Sequence, residues 1–190
     1  MRYKEDHKEQ THKRIVETAS REFRTRGFDG IGIARLMALL QLTHGGFYAH
    51  FEDKEDLIVE AMSVALEQSL SYLVQALEEG GIAGLINYYT SEMHRDNPGY
   101  GCPLPSLTAE EARRPVGTRD SFTTEYNKII ETVTKYVSGS SWEQRFAKVE
   151  VMFASLTGAV SLARAVSDPA MSDRILRSTR EHLIDYMTSE

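Results

Sequence analysis

The sequence predicts an all-α fold: a small three-helix head joined to a larger helical body. Three observations carry this expectation. Apolar residues recur every three or four positions through nearly all of the 190 residues, the spacing that gathers them on one face of an α-helix. Glycines, prolines and capping residues punctuate that pattern at helix-length intervals. No stretch long enough to matter alternates as a strand does, and there is neither an internal repeat nor a low-complexity segment.

Ile15, Val16, Ala19 and Phe23 define a first helix that ends near Arg26, with Gly27 at its C-cap. Ile33, Leu36, Met37 and Leu40 mark a short second helix. Thr43 caps a third, with Phe47 and Phe51 on one face. Asp53, with Asp56 three residues on, forms a variant capping box that opens a fourth. The fourth runs through Leu57, Ala61, Leu66, Leu73 and Leu77 to a break at Gly80-Gly81. A helix over about 82–94 follows, then a turn-rich connection over 97–105. Next come helices over about 106–114 and 119–137, the latter with Phe122, Tyr126, Ile129, Ile130 and Val133 inward. Ser141 with Gln144 opens a long helix from Trp142 to about Val166, and Asp168-Pro169 opens the last. The boundary between head and body is placed after residue 53, giving units 1–53 and 54–190.

Composition narrows the function classes. The net charge is −6, which argues weakly against nucleic acid. The first 51 residues are nevertheless mildly basic and hold four of the six histidines, while the remainder is acidic. A DNA-reading head on a sensing or pairing body shows such a split; so does chance. No run approaches the roughly 18 apolar residues needed to span a bilayer, and the charged start Met1-Arg2-Tyr3-Lys4 lacks a signal-peptide core. A single cysteine, Cys102, excludes an internal disulfide and suits a reducing compartment. The expectation is a cytoplasmic protein without membrane association, cofactor or metal.

The densest motif is Thr43-His44-Gly45-Gly46-Phe47-Tyr48-Ala49-His50-Phe51, followed by Asp53-Lys54-Glu55-Asp56-Leu57. Helices two and three, joined by Gln41-Leu42-Thr43, have helix-turn-helix spacing, in which the second helix enters a DNA major groove by its N-terminal residues. On these residues, positions 11–62 resemble the DNA-binding domain of the TetR family of transcriptional regulators, most closely a subgroup written Leu-Thr-His-Gly-Gly-Phe-Tyr. The chain departs from the family pattern in three places. Leu36-Met37 stands where Ile-Ala is usual, so Met37 is expected to crowd the two helices. Gln41 stands where the turn usually has glycine, so it must adopt a left-handed backbone. Gly32 replaces the usual Ser/Thr cap.

The resemblance implies that the Tyr48 hydroxyl meets a phosphate or base; the plainer reading packs it on the core. His44 lies on the leading turn, where base or phosphate contact competes with an ordinary surface role. Gly45 and Gly46 each weaken a helix by about 1 kcal/mol against alanine, and close approach to DNA is the simplest reason. Lys54 opposes the helix dipole in a first turn, a conflict that a phosphate resolves. Arg35 and His50 are candidate backbone contacts, and Thr43 caps the reading helix. Phe47 and Phe51 read as core. The arm Arg2, Lys4, Lys8, Lys13 and Arg14 either touches the duplex or is simply solvated.

In the body, Gly101-Cys102-Pro103-Leu104 followed by Leu107-Thr108-Ala109-Glu110 resembles a segment of the same subgroup that borders an effector pocket. Cys102 has three readings: an inert buried thiol, a pocket wall, or a thiolate whose pKa is lowered before a helix start. Tyr88, Tyr89, Met93, Leu104, Phe122, Tyr126 and Phe153 are candidate walls for a small apolar or aromatic effector, with ordinary core packing as the alternative. Small residues Ala154, Ser155, Gly158, Ala159, Ala163 and Ala165, with the apolar residues of the final helix, make the last two helices a candidate homodimer seam. The resulting expectation is a homodimeric repressor on a palindromic double-stranded operator, released by the effector or by modification of Cys102. Its rivals are a helical enzyme, for which His94 and Cys102 are the only nearby catalytic-looking pair, and a regulator acting by protein contact alone.

Overall fold

The computed structural model describes the backbone of residues 2–189 and the side chains of residues 7–189, and every described element is helical. The Arg2 and Lys4 side chains lie outside the described residues. Helix α1 (Arg2–Arg26) buries Ile15, Val16, Ala19 and Phe23 along one face. It stops at Gly27, whose N–H closes on the Phe23 carbonyl (2.8 Å) with φ +79°. A side chain there would be strained and would also collide with Glu110.

Helix α2 (Ile33–Leu39) starts at Gly32 without a side-chain cap and buries Leu36 and Met37. Met37 has no exposed surface, and a Cβ added at Gly46 would stand an ordinary 3.8 Å from its Cε. The turn after α2 is a Schellman motif, with Leu42 N–H on the Met37 carbonyl (2.9 Å) and Gln41 N–H on the Ala38 carbonyl (3.0 Å). Gln41 takes φ +59°, the left-handed conformation expected of it, at a cost of roughly 1 kcal/mol where glycine would pay none.

The third helix is shorter and tighter than an α-helix. His44–Ala49 forms a 3-10 turn capped by Thr43, whose Oγ1 accepts the Gly46 N–H (3.3 Å). Two successive glycines and a six-residue length leave little to sustain i→i+4 bonding. Helix α3 (Lys54–Tyr89) opens on Asp53, which accepts the Asp56 N–H (3.0 Å), while Asp56 accepts the Glu52 N–H (3.1 Å). The break expected at Gly80-Gly81 is a kink within this element, with φ +61° at Gly81. The segment beyond it ends at Tyr89 rather than near His94. Thr90 and Ser91 turn their hydroxyls back onto the Ile86 and Tyr88 carbonyls (both 2.7 Å), and Ser91 caps a separate α4 (Glu92–Asp96).

A 3-10 turn over Pro98–Tyr100 leads to α5 (Leu104–Glu111), α6 (Val116–Thr134), α7 (Trp142–Ala165) and α8 (Pro169–Thr188). Helices α5 and α6 begin and end two or three residues earlier than the sequence suggests. Ser141 and Asp168 cap α7 and α8 as expected. One continuous apolar core joins head to body through the first turns of α3, where Leu57, Ile58 and Ala61 pack with Phe47 and Phe51. Helices α3 and α7 are long and apolar enough, by length and composition alone, to cross a membrane, contrary to the expectation that no run qualifies. Both bury one face in the core, through Leu66, Leu73 and Leu77 on α3 and Met152, Phe153 and Leu156 on α7, as core helices of a globular domain do.

Candidate nucleic-acid interface and body cavities

The short third helix divides its residues sharply. Phe47 has no exposed surface and stacks on Phe51 with ring centroids 5.2 Å apart, so both belong to the core. The opposite face carries Thr43, His44, Gly45 and Tyr48, all exposed; Tyr48 is 59% exposed and meets His44 edge-on (5.8 Å). Arg35 on α2 is exposed on the same head, as are Lys8, Lys13 and Arg14 on α1. A Cβ at Gly45 would touch nothing within 4 Å, so the protein's own packing does not demand glycine there.

Lys54 is half-buried, its Nζ 4.0 Å from the Asp29 carboxylate. A pair this long and this open contributes little and yields readily to a stronger anion. His50 differs from the others. It is partly buried, its Nδ1 has no partner, and burial, then the neighbouring His12 and Lys8, lower its pKa. It therefore favours the neutral form, which weakens it as a phosphate contact.

The body holds a buried polar knot around Cys102. The His94 Nδ1–H donates to the Tyr89 carbonyl (2.7 Å), and Nε2 accepts the Cys102 backbone N–H (2.9 Å). Thus the His94–Cys102 contact runs through the backbone and not the thiol. Arg164 ties the His94 and Arg95 carbonyls (2.7 and 2.8 Å). Arg24 of the head reaches the Gly101 carbonyl (2.9 Å) and the Gln68 amide oxygen (3.0 Å). The Cys102 thiol is 2% exposed and burial pushes its pKa up. Of the three readings of this residue, the thiolate lowered by a nearby helix start is disfavoured and the inert buried thiol fits: desolvation of the charged form outweighs hydrogen bonds from Ser69 and Tyr89.

Burial, then the Arg164 charge, lower the His94 pKa from 6.5 to about 4. The unfolded chain takes up this proton at the higher pH, so native stability is expected to fall as pH drops through that window, by at most about 3 kcal/mol. Urea midpoints measured from neutral pH to about pH 4 check this. His94→Gln should flatten the slope, and an unchanged slope would remove His94 from the account.

The eight effector candidates do not share one cavity. Tyr88 and Met93, with Tyr72, Tyr100 and Gly101, line an open cleft of about 390 Å³. Burial raises the Tyr88 phenol to about 12. Phe122 lines a separate cavity of about 240 Å³ between α3, α5 and α6, and Tyr126 stacks on it with ring planes 5° apart. Tyr89, Cys102, Leu104 and Phe153 are buried in the core. Tyr88 and Met93 sit where the far end of α3 meets α4, whereas Phe122 sits where α6 packs on the earlier turns of α3.

Sequence reasoning missed the contacts of the charged residues at and just beyond the end of α5. Glu110 accepts the Phe28 N–H (2.7 Å) of the head. Arg114 binds Asp29 (3.2 Å) and Glu55 (2.9 Å) and lies over the Phe28 ring. Glu111 is 2% exposed, lines the smaller cavity, and leaves both carboxylate oxygens unpartnered. Nothing local marked these residues, since their partners lie 50 or more positions away. No group of three or more His, Cys, Asp or Glu is placed to hold a metal among the described residues.

A helix-turn-helix head continuous with a larger helical body defines the architecture of the chain. Residues 15–61 match the family model for bacterial regulatory proteins of the tetR family. The whole chain has the fold of TetR-family transcriptional regulators. It superposes on a TetR regulator from Chloroflexus aurantiacus at TM-score 0.77 and 23% identity, covering 100% of this chain and 98% of that one. A TetR-family regulator from Cytophaga hutchinsonii gives TM-score 0.75 at 21% identity, with 96% and 98% covered. The reduced form of NemR from E. coli gives 0.74 at 18% identity, with 95% and 98% covered. None of the curated proteins matches the chain.

Proposed function

We propose that this chain is a TetR-type transcriptional regulator that binds a palindromic double-stranded operator as a homodimer. One observation carries the reading. The third helix turns Phe47 into the core, with Phe51 just beyond it, and its polar, glycine-opened face outward, with no internal reason for Gly45. Close approach of a groove supplies that reason. Thr43, His44, Gly45, Gly46 and Tyr48 form the leading face, and Arg35 and Lys54 hold the flanking phosphates. His50, kept neutral, orients the segment against α1. The DNA-reading unit is 1–53 and the sensing and pairing unit 54–190. The subgroup assignment rests on residues 42–48 and 101–104.

Pairing through α7 and α8 is supported by an outward stripe, Val151, Ala154, Gly158, Leu162 and Ala165, beside Met171 and Tyr186 of α8. A Cβ at Gly158 would meet nothing within the protomer, so its smallness suits a partner helix. Ala159 and Ala163 are buried within the protomer. Two heads must meet half-sites about one helical turn, roughly 34–36 Å, apart. The protein acts in the cytoplasm as a repressor that a small effector releases through unequal affinity for its DNA-bound and free states. Reversible occupancy of the body is favoured over modification of Cys102, whose thiol is buried and protonated.

Gel shifts with the promoter of its own gene test the reading. Tyr48→Ala and Lys54→Ala are each expected to weaken binding by about 1–2 kcal/mol, several-fold or more, with the melting temperature unchanged. Unaltered affinity in both would sink the assignment of the head.

A further inference from the structure

The cavity between α3, α5 and α6 contains an uncompensated acid. Glu111 closes α5, its residue is buried, and neither carboxylate oxygen has a hydrogen-bond partner. Burying an unpaired carboxylate is expensive. The position makes it worse, because the C-terminal end of a helix carries partial negative charge and favours cations. The nearest cation does not resolve this: Arg114 spends its guanidinium on Glu55 and Asp29. The walls around the acid are otherwise suited to an organic body. Val59, Met62 and Leu66 are apolar, Phe122 offers an aromatic ring, and Ser63 and Thr118 supply hydroxyl oxygens.

We propose that this cavity binds a small organic monocation, an ammonium group on an apolar or aromatic body, with the Glu111 carboxylate as its counter-ion. The ammonium sits against Glu111 and shares its remaining N–H donors with the hydroxyls. The body fills the space between Leu66 and the Phe122 ring, where cation–π attraction adds to burial. A cavity of about 240 Å³ limits the ligand to one smaller than the drug-sized molecules that occupy roughly 300–1,000 Å³.

The site deepens the regulator reading and rests on it only for the effect on DNA. Glu110, the adjacent residue, holds the Phe28 N–H of the head, and Arg114, three residues on, holds Asp29. A cation that draws Glu111 inward therefore moves the same end of α5 that fastens the head. Proton linkage follows. Burial raises the Glu111 pKa, against the Arg114 and Arg119 charges and with Glu55, and Glu125 also lines the cavity. The carboxylate is therefore disfavoured in the empty site relative to water, so a cation that pairs with it binds more weakly as pH falls.

Calorimetric titration of the full chain without DNA tests this, with benzylammonium chloride as probe and benzyl alcohol as its neutral match. Benzylammonium is expected to bind at least about tenfold tighter than the alcohol, the scale of one charge-assisted hydrogen bond. Glu111→Gln should abolish the preference while melting at or above the wild-type temperature, since it removes a buried charge. A smaller preference, or a preference retained in Glu111→Gln, overturns the proposal. Should that variant fail to fold, the comparison of benzylammonium with benzyl alcohol decides alone. Cation binding with no operator binding would sink the regulator reading and leave the site standing; operator binding with no cation preference would do the reverse.

Discussion

Phe47→Ala is expected to destabilise the head by about 3–5 kcal/mol, the cost of deleting a fully buried phenylalanine that leaves a cavity. Phe47 has no exposed surface, stacks on Phe51 and meets Tyr48 edge-on at 5.3 Å. The ring also anchors the only face by which the third helix is held, because the other face is solvated. Denaturant unfolding followed by circular dichroism should show a lowered midpoint, and operator retention in a gel shift should vanish with it. Tyr48→Ala, by contrast, should lose DNA and keep stability. A Phe47→Ala protein that melts like the wild type would mean that the third helix is positioned by something other than this aromatic pair.

Leu162→Glu is the second substitution with a large expected effect, and it acts between molecules. Leu162 is 57% exposed on the outward stripe of α7, so a glutamate costs the isolated protomer no more than about 0.5 kcal/mol. In a paired stripe the same change places like charges face to face and strands both without partners. Sedimentation at micromolar protein should show a dimer becoming a monomer. Operator affinity should fall by two orders of magnitude or more, because the second half-site contact no longer comes at high effective concentration. A variant with the wild-type mass would place the pairing surface elsewhere, and a wild type that sediments as a monomer would remove the dimer.

Much of the helical frame was legible because helix ends are local chemistry. Thr43, Asp53, Ser141 and Asp168 cap the helices that follow them, Gly27 ends the first, and Gln41 takes the strained conformation that its place in the turn requires. Each depends on groups within about four residues. The misplaced ends have the same origin. Thr90 and Ser91 look like helix interior in sequence because a hydroxyl that turns back on its own backbone leaves no trace in apolar periodicity. The 3-10 form of the third helix was likewise hidden, since its capping residue and its buried face are those of an α-helix.

The outward face of the head was also readable, because one aromatic pair at helical spacing fixes which side is inside. The body was not. Tyr88, Phe122 and Phe153 look alike in sequence, yet one lines an open cleft, one a small cavity, and one has no free surface. Cys102 had three readings in sequence, and the space around it, which suppresses the thiolate, favours the inert buried thiol.

By itself, then, the order of residues determined the helices, their caps and the side of the head turned to solvent, all of which follow from bonding over a turn or two. Only packing decided that Glu111 would be shut away without a partner, that Arg24 would fasten head to loop, and that the thiol would be protonated. Those outcomes depend on the dielectric and the charges that distant segments bring together, and no short-range pattern encodes them.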